Sequence, residues 1–323
     1  MKYKRLGNAG LKVSSLCLGT MTFGDGADKT MSNKMYELAR DNGINFFDCA
    51  NVYAEGESER ILGDLIHHHR EEVILSTKAY YPTGKGINNK GLSRLHLRQE
   101  LEKSLKRLKT DYIDIYYLHC FDKDTPLNES LSTLNDFVRQ GKILYVGLSN
   151  FAAWQIMKAI SITNQRNYAP ISCVQPMYNL LKRQCETEIL PLAHSENLGV
   201  VPYSPLAGGM LTGKYLKKGS AKDGRFQKSE MYQNRYKDNT NQMITEKFIN
   251  YCKDHSYNPV SLAISWVGSH KGISSPIIGA RNMDQLKSAL KSLDIRMTDK
   301  IRSEISNLSI TPALATDREE ERL

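Results

Sequence analysis

The chain has 323 residues, of which 40% are hydrophobic and 24% charged, enough to bury a substantial core and suited in length to one α/β barrel with an insertion. Its formal charge of +9 raises nucleic acid as a partner, but the basic residues are interleaved with acidic ones, as in Leu101-Glu102-Lys103-Ser104-Leu105-Lys106-Arg107, and an anionic small ligand explains a basic mouth equally well, so no nucleic acid is expected. No segment approaches a membrane span, no apolar stretch follows the basic Met1-Lys2-Tyr3-Lys4-Arg5, and the six cysteines (Cys17, Cys49, Cys120, Cys173, Cys185, Cys252) lack CxxC spacing, so the expectation is a cytoplasmic protein without membrane, disulfide or zinc.

In chain order, 3–6 and 11–13 flank the turn-rich Gly7-Asn8-Ala9-Gly10 and read as a β-hairpin closing a barrel floor. Eight strand candidates follow at 14–18, 44–48, 73–78, 112–118, 143–148, 171–176, 198–203 and 273–278, most of them separated by helix-like segments. The clearest helix spans 93–108, where Leu95, Leu101, Leu105 and Leu108 form an apolar stripe and Ser93 can cap the start. Strand, helix, strand at this spacing implies parallel pairing. An open doubly wound sheet would carry a GxGxxG turn after its first strand, and Gly19-Thr20-Met21-Thr22-Phe23-Gly24 lacks that order. The expected fold class is therefore α/β, a (β/α)8 TIM barrel in a single domain over 1–323. Residues 207–238, after the seventh strand, form the longest irregular stretch; a loop there falls on the active face, and we expect a flap over a ligand. Asp317-Arg318-Glu319-Glu320-Glu321-Arg322 reads as part of a solvated tail from about 309 to 323.

In such a barrel the carboxyl ends of the strands converge on one face, which brings Asp48, Lys78 and His119 together from three strand ends, with Tyr53 shortly beyond Asp48. This is an acid/base set. Free tyrosine, with a pKa of about 10, is too weak an acid, and a neighbouring ammonium favours phenolate and brings that value closer to working pH. Lys78 is the expected neighbour, Asp48 holds it charged and aimed, and His119 orients a substrate oxygen and stabilises its developing charge. The sequence carries no metal-cluster or flavin signature. His67-His68-His69 resembles a metal tract, but consecutive helical residues point apart, so a solvated helix end is expected. Cys49 and Cys120 flank site positions and read as packing on the opposite strand face.

These residues are where the chain resembles the aldo-keto reductase superfamily, from Tyr3-Lys4-Arg5-Leu6-Gly7 to at least Leu290. Gly43-Ile44-Asn45-Phe46-Phe47-Asp48-Cys49-Ala50-Asn51-Val52-Tyr53 with Gly56-Glu57-Ser58-Glu59, then Ser76-Thr77-Lys78, Tyr117-Leu118-His119, Gly147-Leu148-Ser149-Asn150, Val174-Gln175-Pro176-Met177-Tyr178-Asn179 and Pro202-Tyr203-Ser204-Pro205-Leu206-Ala207 match in order. The pattern is similar to bacterial reductases and potassium-channel β-subunits, which share Leu211-Thr212-Gly213-Lys214-Tyr215 and the segment at Ile278-Gly279-Ala280-Arg281-Asn282. The resemblance implies the same catalytic roles for Asp48, Tyr53, Lys78 and His119, and an NADPH-dependent oxidoreductase reducing aldehyde, ketone or sugar carbonyls to alcohols. A nucleotide-sensing regulatory subunit with slow or no turnover is the alternative. A sugar-phosphate isomerase or aldolase with Lys78 as Schiff base would leave Ser149, Asn150, Gln175 and Tyr203 unexplained.

By the same resemblance Tyr203 stacks on one nicotinamide face, and Ser149, Asn150 and Gln175 hydrogen-bond its carboxamide. Ser204, Leu206 and Gly208 approach the pyrophosphate, clamped by Lys214 and Arg225, while Thr20, Met21, Asp48, Pro205 and Ala207 join the cofactor site. Gly279, Arg281 and Gln285 match the adenosine end, where a guanidinium suits a 2′-phosphate, so NADPH is favoured over NADH. Where many relatives read Glu-Asn, this chain has Ser288 and Ala289, a departure at the adenine contacts. Met21, Phe23, Tyr80, Tyr81 and Phe121 suggest a partly aromatic mouth for a small-molecule carbonyl substrate. The sequence carries no signal for oligomeric state.

Overall fold

The structure, a computed structural model, describes residues 1–216, 224, 226, 229–318 and 320. Tyr3–Arg5 (β1) and Lys12–Ser14 (β2) pair antiparallel, with Tyr3 opposite Ser14 and Arg5 opposite Lys12. Between them Gly7 adopts φ +58°, and a Cβ there would collide with the backbone of Gly199. The hairpin turn thus sits directly on the chain at 197–199, which enters the seventh barrel strand, a close approach that only glycine permits. Leu6 and Val13 bury against Phe46, Ile74, Ile115 and Tyr117, so the hairpin plugs the barrel interior from below.

Eight parallel strands follow: Cys17–Gly19 (β3), Phe46–Asp48 (β4), Ile74–Ala79 (β5), Ile113–Leu118 (β6), Ile143–Ser149 (β7), Ile171–Gln175 (β8), Gly199–Val200 (β9) and Ile277–Ile278 (β10), with β10 beside β3. The two ends meet through Ser274 N to Val200 O (2.9 Å) and Ile277 N to Pro202 O (2.9 Å), which closes the (β/α)8 barrel. A second, larger core fills the space between sheet and helices, built from alternate residues such as Phe47, Leu75, Tyr116 and Leu118. Strand period two separates these outward residues from Phe46, Ile74 and Tyr117, which point to the axis.

Three strands differ from their sequence expectation. The first barrel strand starts at Cys17, not 14, because Ser14 belongs to β2 and its hydroxyl donates to Leu16 O (2.7 Å). The seventh and eighth are short because Pro202 and Pro276 have no N–H for the ladder; Tyr203 reaches its neighbour only as an isolated bridge with Met177.

Helix Arg94–Leu108 (α3) starts where Ser93 accepts from His96 N, as expected. Its buried stripe is Leu97, Leu101, Leu105 and Leu108, while Leu95 is 49% exposed, a correction that follows from helical spacing: two residues from Leu97 lies nearly the opposite face. The described part of 207–238 is less irregular than expected. It contains a 3-10 segment at Ala207–Thr212 and a helix at Glu230–Tyr236 (α7) before helix Asn239–Asp254. The expected tail is tied down at its start, Ser309 donating to Leu180 O (2.6 Å) and Thr187 to Ala313 O (3.3 Å); Glu319 and 321–323 lie outside the described residues. Among the described residues no helix is long and apolar enough to cross a membrane.

Candidate active site

Two residues beyond the inward-facing Phe46, Tyr117 and Cys173 stand Asp48, His119 and Gln175, and four beyond Ile74 stands Lys78, so strand period alone aims all of them at the carboxyl mouth of the barrel. Asp48 and Lys78 are buried and paired, Nζ to Oδ2 at 2.6 Å. Lys78 also donates to Cys49 O (2.6 Å), and Asp48 Oδ1 accepts from Ser76 Oγ (2.7 Å) and Gln175 Nε2 (2.9 Å). Both carboxylate oxygens and two of the three ammonium protons thus have partners, which is what lets a buried pair be tolerated. Burial works against the Lys78 ammonium, but Asp48 and then Tyr53 outweigh it and raise Lys78 above the ordinary lysine value.

Tyr53 sits with its ring centroid 5.2 Å from Lys78 Nζ and edge-on to His119 at 6.2 Å. Burial pushes its hydroxyl up to about 12, with Lys78 pulling the other way. The expectation that Lys78 draws the phenol toward neutrality is therefore corrected: desolvation of the phenolate wins over the ammonium. His119 is buried, its Nδ1 has no hydrogen-bond partner, and burial followed by the Lys78 charge holds it well below the ordinary histidine value, so it stands neutral at pH 7.

The turn carrying Tyr53 is strained. Ala54 (φ 47°), Glu55 (φ 54°) and Gly56 (φ 88°) run consecutively through the left-handed region before helix Glu57–Ile66 (α2) begins. Asn51 anchors this turn, its N–H on Lys78 O (3.2 Å) and its side chain donating to Glu100 Oε2 (2.7 Å) on α3; Glu100 also takes Thr83 and Lys103. Sequence reasoning missed Glu100, whose helix position carries no local mark of a partner on β4's turn.

From this acid/base end one cavity of about 720 Å³ extends past Tyr203 and Gly208 to Arg281, Gln285 and Ser288. Comparison with known proteins agrees with the motif order. The sequence model of the aldo/keto reductase family matches residues 15–310. The chain belongs to the aldo/keto reductase family. It is 38% identical to the uncharacterized oxidoreductase YrpG of Bacillus subtilis (strain 168), covering 93% of this chain and 94% of that one. It is 36% identical to probable voltage-gated potassium channel β subunits of Oryza sativa subsp. japonica (95% and 97% covered) and Arabidopsis thaliana (91% and 92% covered).

In this aldo/keto reductase the cavity is lined by Met21, Asp48, Tyr53, His119, Ser149, Asn150, Gln175, Tyr203, Ser204, Pro205, Leu206, Gly208, Lys214, Gly279, Arg281 and Gln285. Lys78 lies beneath that surface, and Arg225 lies outside the described residues. The buried side chains of Thr20 and Ala207 do not line it: the Thr20 hydroxyl turns to Asp48 O (3.1 Å), and Ala207 packs into the outer core. The residues expected on the carboxamide bond one another, Ser149 Oγ to Gln175 O (3.0 Å) and Asn150 Nδ2 to Ser149 Oγ (3.1 Å) and His119 O (2.8 Å). Tyr203 donates to Asn150 Oδ1 at 2.7 Å.

At the far end Gln285 Oε1 accepts from Arg281 N (3.0 Å), and the Arg281 side chain lies against Gly26, where φ is +100° and a Cβ would sit 3.4 Å from Nε. Ser288 lines the cavity with its hydroxyl on Asp284 O (2.9 Å), whereas Ala289 is buried in the core. Of the expected aromatic mouth only Met21 and Tyr81 face the cavity. Phe23 is buried in the outer core, Tyr80, just past the end of β5, packs against that core and edge-on to Tyr81 at 5.1 Å, and Phe121 packs on Phe151 and Trp154.

Helix α7 adds Met231, Tyr232 and Arg235, which the sequence reading missed because seven residues inside a polar stretch show no convincing period. In the histidine tract His67 and His68 are exposed, but His69 turns back to the Tyr36 hydroxyl (2.5 Å). Among the described residues no three candidate ligands gather to hold a metal. Cys49 packs on Ser58 Oγ at 3.2 Å, away from Asp48.

Proposed function

We propose that this oxidoreductase reduces aldehyde, ketone or sugar carbonyls to alcohols with NADPH, Tyr53 serving as general acid. The observation that carries the reading is the convergence of a charged Lys78, locked by Asp48, with Tyr53 and a neutral His119 at the mouth of one long cavity. The cavity suits a dinucleotide: Gly208 (φ 68°) and Gly209 (φ 96°) offer backbone without side chains, Lys214 stands beside Gly209, and Arg281 waits at the opposite end for a 2′-phosphate. Ser149, Asn150 and Gln175 present polar groups at the nicotinamide end, against the Tyr203 ring.

When bound, a reduced nicotinamide supplies the hydride. His119, uncharged, can donate a hydrogen bond to the carbonyl oxygen and so favour charge developing there. Tyr53 then gives that oxygen its proton. A phenol near 12 suffices, since an alkoxide is about as basic as hydroxide (bulk water ~15.7) and takes the proton downhill. Lys78 stabilises the phenolate left behind, and Asp48 keeps Lys78 charged.

Because the Tyr53 hydroxyl is raised to about 12, it stays protonated through neutral pH, and loss of reductase activity from its ionisation sets in only as pH rises toward that value. The test is a panel of aldehydes, ketones and sugars assayed by loss of NADPH absorbance. Turnover of at least one class, abolished in Tyr53→Phe, supports the reading; tight NADPH binding without turnover of any of them would replace it with nucleotide sensing.

A further inference from the structure

Helix α7 holds a cation that the reaction just described does not use. Tyr232 and Tyr236, one turn apart, are buried and anchor the helix: Tyr232 lies over Gly208, where a Cβ would meet its ring at 2.7 Å, and the Tyr236 hydroxyl accepts from Asn179 Nδ2 at 3.1 Å. Arg235 stands between them on the cavity side, half-buried, its guanidinium 5.5 Å from the Tyr232 ring centroid. Among the described residues no carboxylate is paired with it.

The other cations in or beneath the cavity lining are otherwise placed. Lys78 is bound to Asp48, Lys214 lies beside Gly209 in the phosphate-binding run, and Arg281 lies beside Gly26 at the far end. Arg235 instead acts on the substrate end. Burial raises the Tyr203 hydroxyl to about 12 and also raises Tyr81, and in both the Arg235 charge pulls the other way. Tyr81 in turn meets His119 edge-on at 4.9 Å, and Arg235, Tyr81 and His119 all line the cavity.

Resting on the carbonyl-reductase reading, we infer that Arg235 selects substrates that carry a carboxylate beyond the reacting carbonyl. A planar guanidinium with a free fork matches a carboxylate bidentately, and a half-buried setting screens that pair less than open solvent would. Tyr81 and Tyr203 would flank the carbon skeleton between the two polar ends.

The experiment compares 4-formylbenzoate with its methyl ester, which share the reacting aldehyde and ring but differ in charge. The native enzyme should prefer the acid in kcat/KM, and Arg235→Gln should cut that preference about 10- to 100-fold, through KM for the acid and not kcat. Arg235→Lys, keeping the charge without the fork, should retain part of the preference, and Arg235→Glu should shift it toward 4-(trimethylammonio)benzaldehyde. Reduction of the ester with no preference for the acid would overturn this inference while leaving the reductase reading intact. Turnover of neither compound, nor of any carbonyl in the wider panel, would remove both. NADPH titration by fluorescence quenching supplies the remaining check: if Arg235→Gln weakens NADPH and leaves the acid-to-ester ratio unchanged, the arginine serves the cofactor and the inference falls.

Discussion

Lys78, beneath the cavity floor, and Arg235, on its wall, are two cations held in opposite ways. Lys78 projects from the middle of the sheet, is fully buried, and spends its protons on Asp48 and Cys49 O. Arg235 projects from a seven-residue helix in the excursion after β9, is half-buried, and meets an aromatic face and no carboxylate among the described residues. The first arrangement cannot be altered without leaving a buried charge alone, which suits the part proposed for Lys78 in every turnover. The second can be altered at little structural cost, which suits a group that sorts substrates.

The largest expected effect tests the sheet side. Tyr53→Phe removes only the acidic hydroxyl, so carbonyl reduction should fall by roughly 10²–10⁴-fold while NADPH affinity holds. Steady-state rates and fluorescence titration read the two quantities, and unchanged turnover would take the proton donor away from Tyr53.

Next is Lys78→Met, which leaves the buried Asp48 carboxylate without its cation and should destabilise the fold by about 3–5 kcal/mol in urea unfolding. Asp48→Asn combined with Lys78→Met should recover much of that loss without restoring activity. Arg235→Gln should move stability by about 0.5 kcal/mol or less. Equal costs for the lysine and arginine changes would erase the contrast between the two regions.

Smaller and confined to the far end of the cavity is Arg281→Ala. If its guanidinium forks onto a 2′-phosphate, NADPH should weaken by roughly one to two powers of ten and NADH hardly at all. Equal weakening of both would mean a general structural role, and none would move the phosphate site toward Lys214. A further small effect concerns the strained turn: Glu55 is exposed with φ 54°, so Glu55→Gly should relieve about 1 kcal/mol of left-handed strain, read as a raised denaturation midpoint with m unchanged. A lowered midpoint would mean the Glu55 side chain contributes more than its backbone costs.

The barrel and the polar residues gathered at its carboxyl mouth were legible from local signals. Apolar runs and their polar ends marked β4, β5 and β6 to within two residues at their starts, and period two then placed Asp48, Lys78 and His119 on one face. Legibility failed where a side chain's surroundings come from another element. Leu95 looked like core and is exposed, Phe23 and Phe121 looked like mouth and pack elsewhere, and Glu100 and Arg235 carried no mark at all.

What the sequence determined by itself is therefore the strand order, the hairpin plug, and the identity of the residues at the strand ends, because hydrophobic period and turn chemistry act over a few neighbouring positions. Only the tertiary structure decided their protonation and their company. Burial carried Tyr53 up to about 12 against the pull of Lys78 and held His119 neutral, and the packing of Tyr232 and Tyr236 brought Arg235 to the cavity wall. Desolvation and charge depend on which distant segments close around a group, and no window of sequence contains that information.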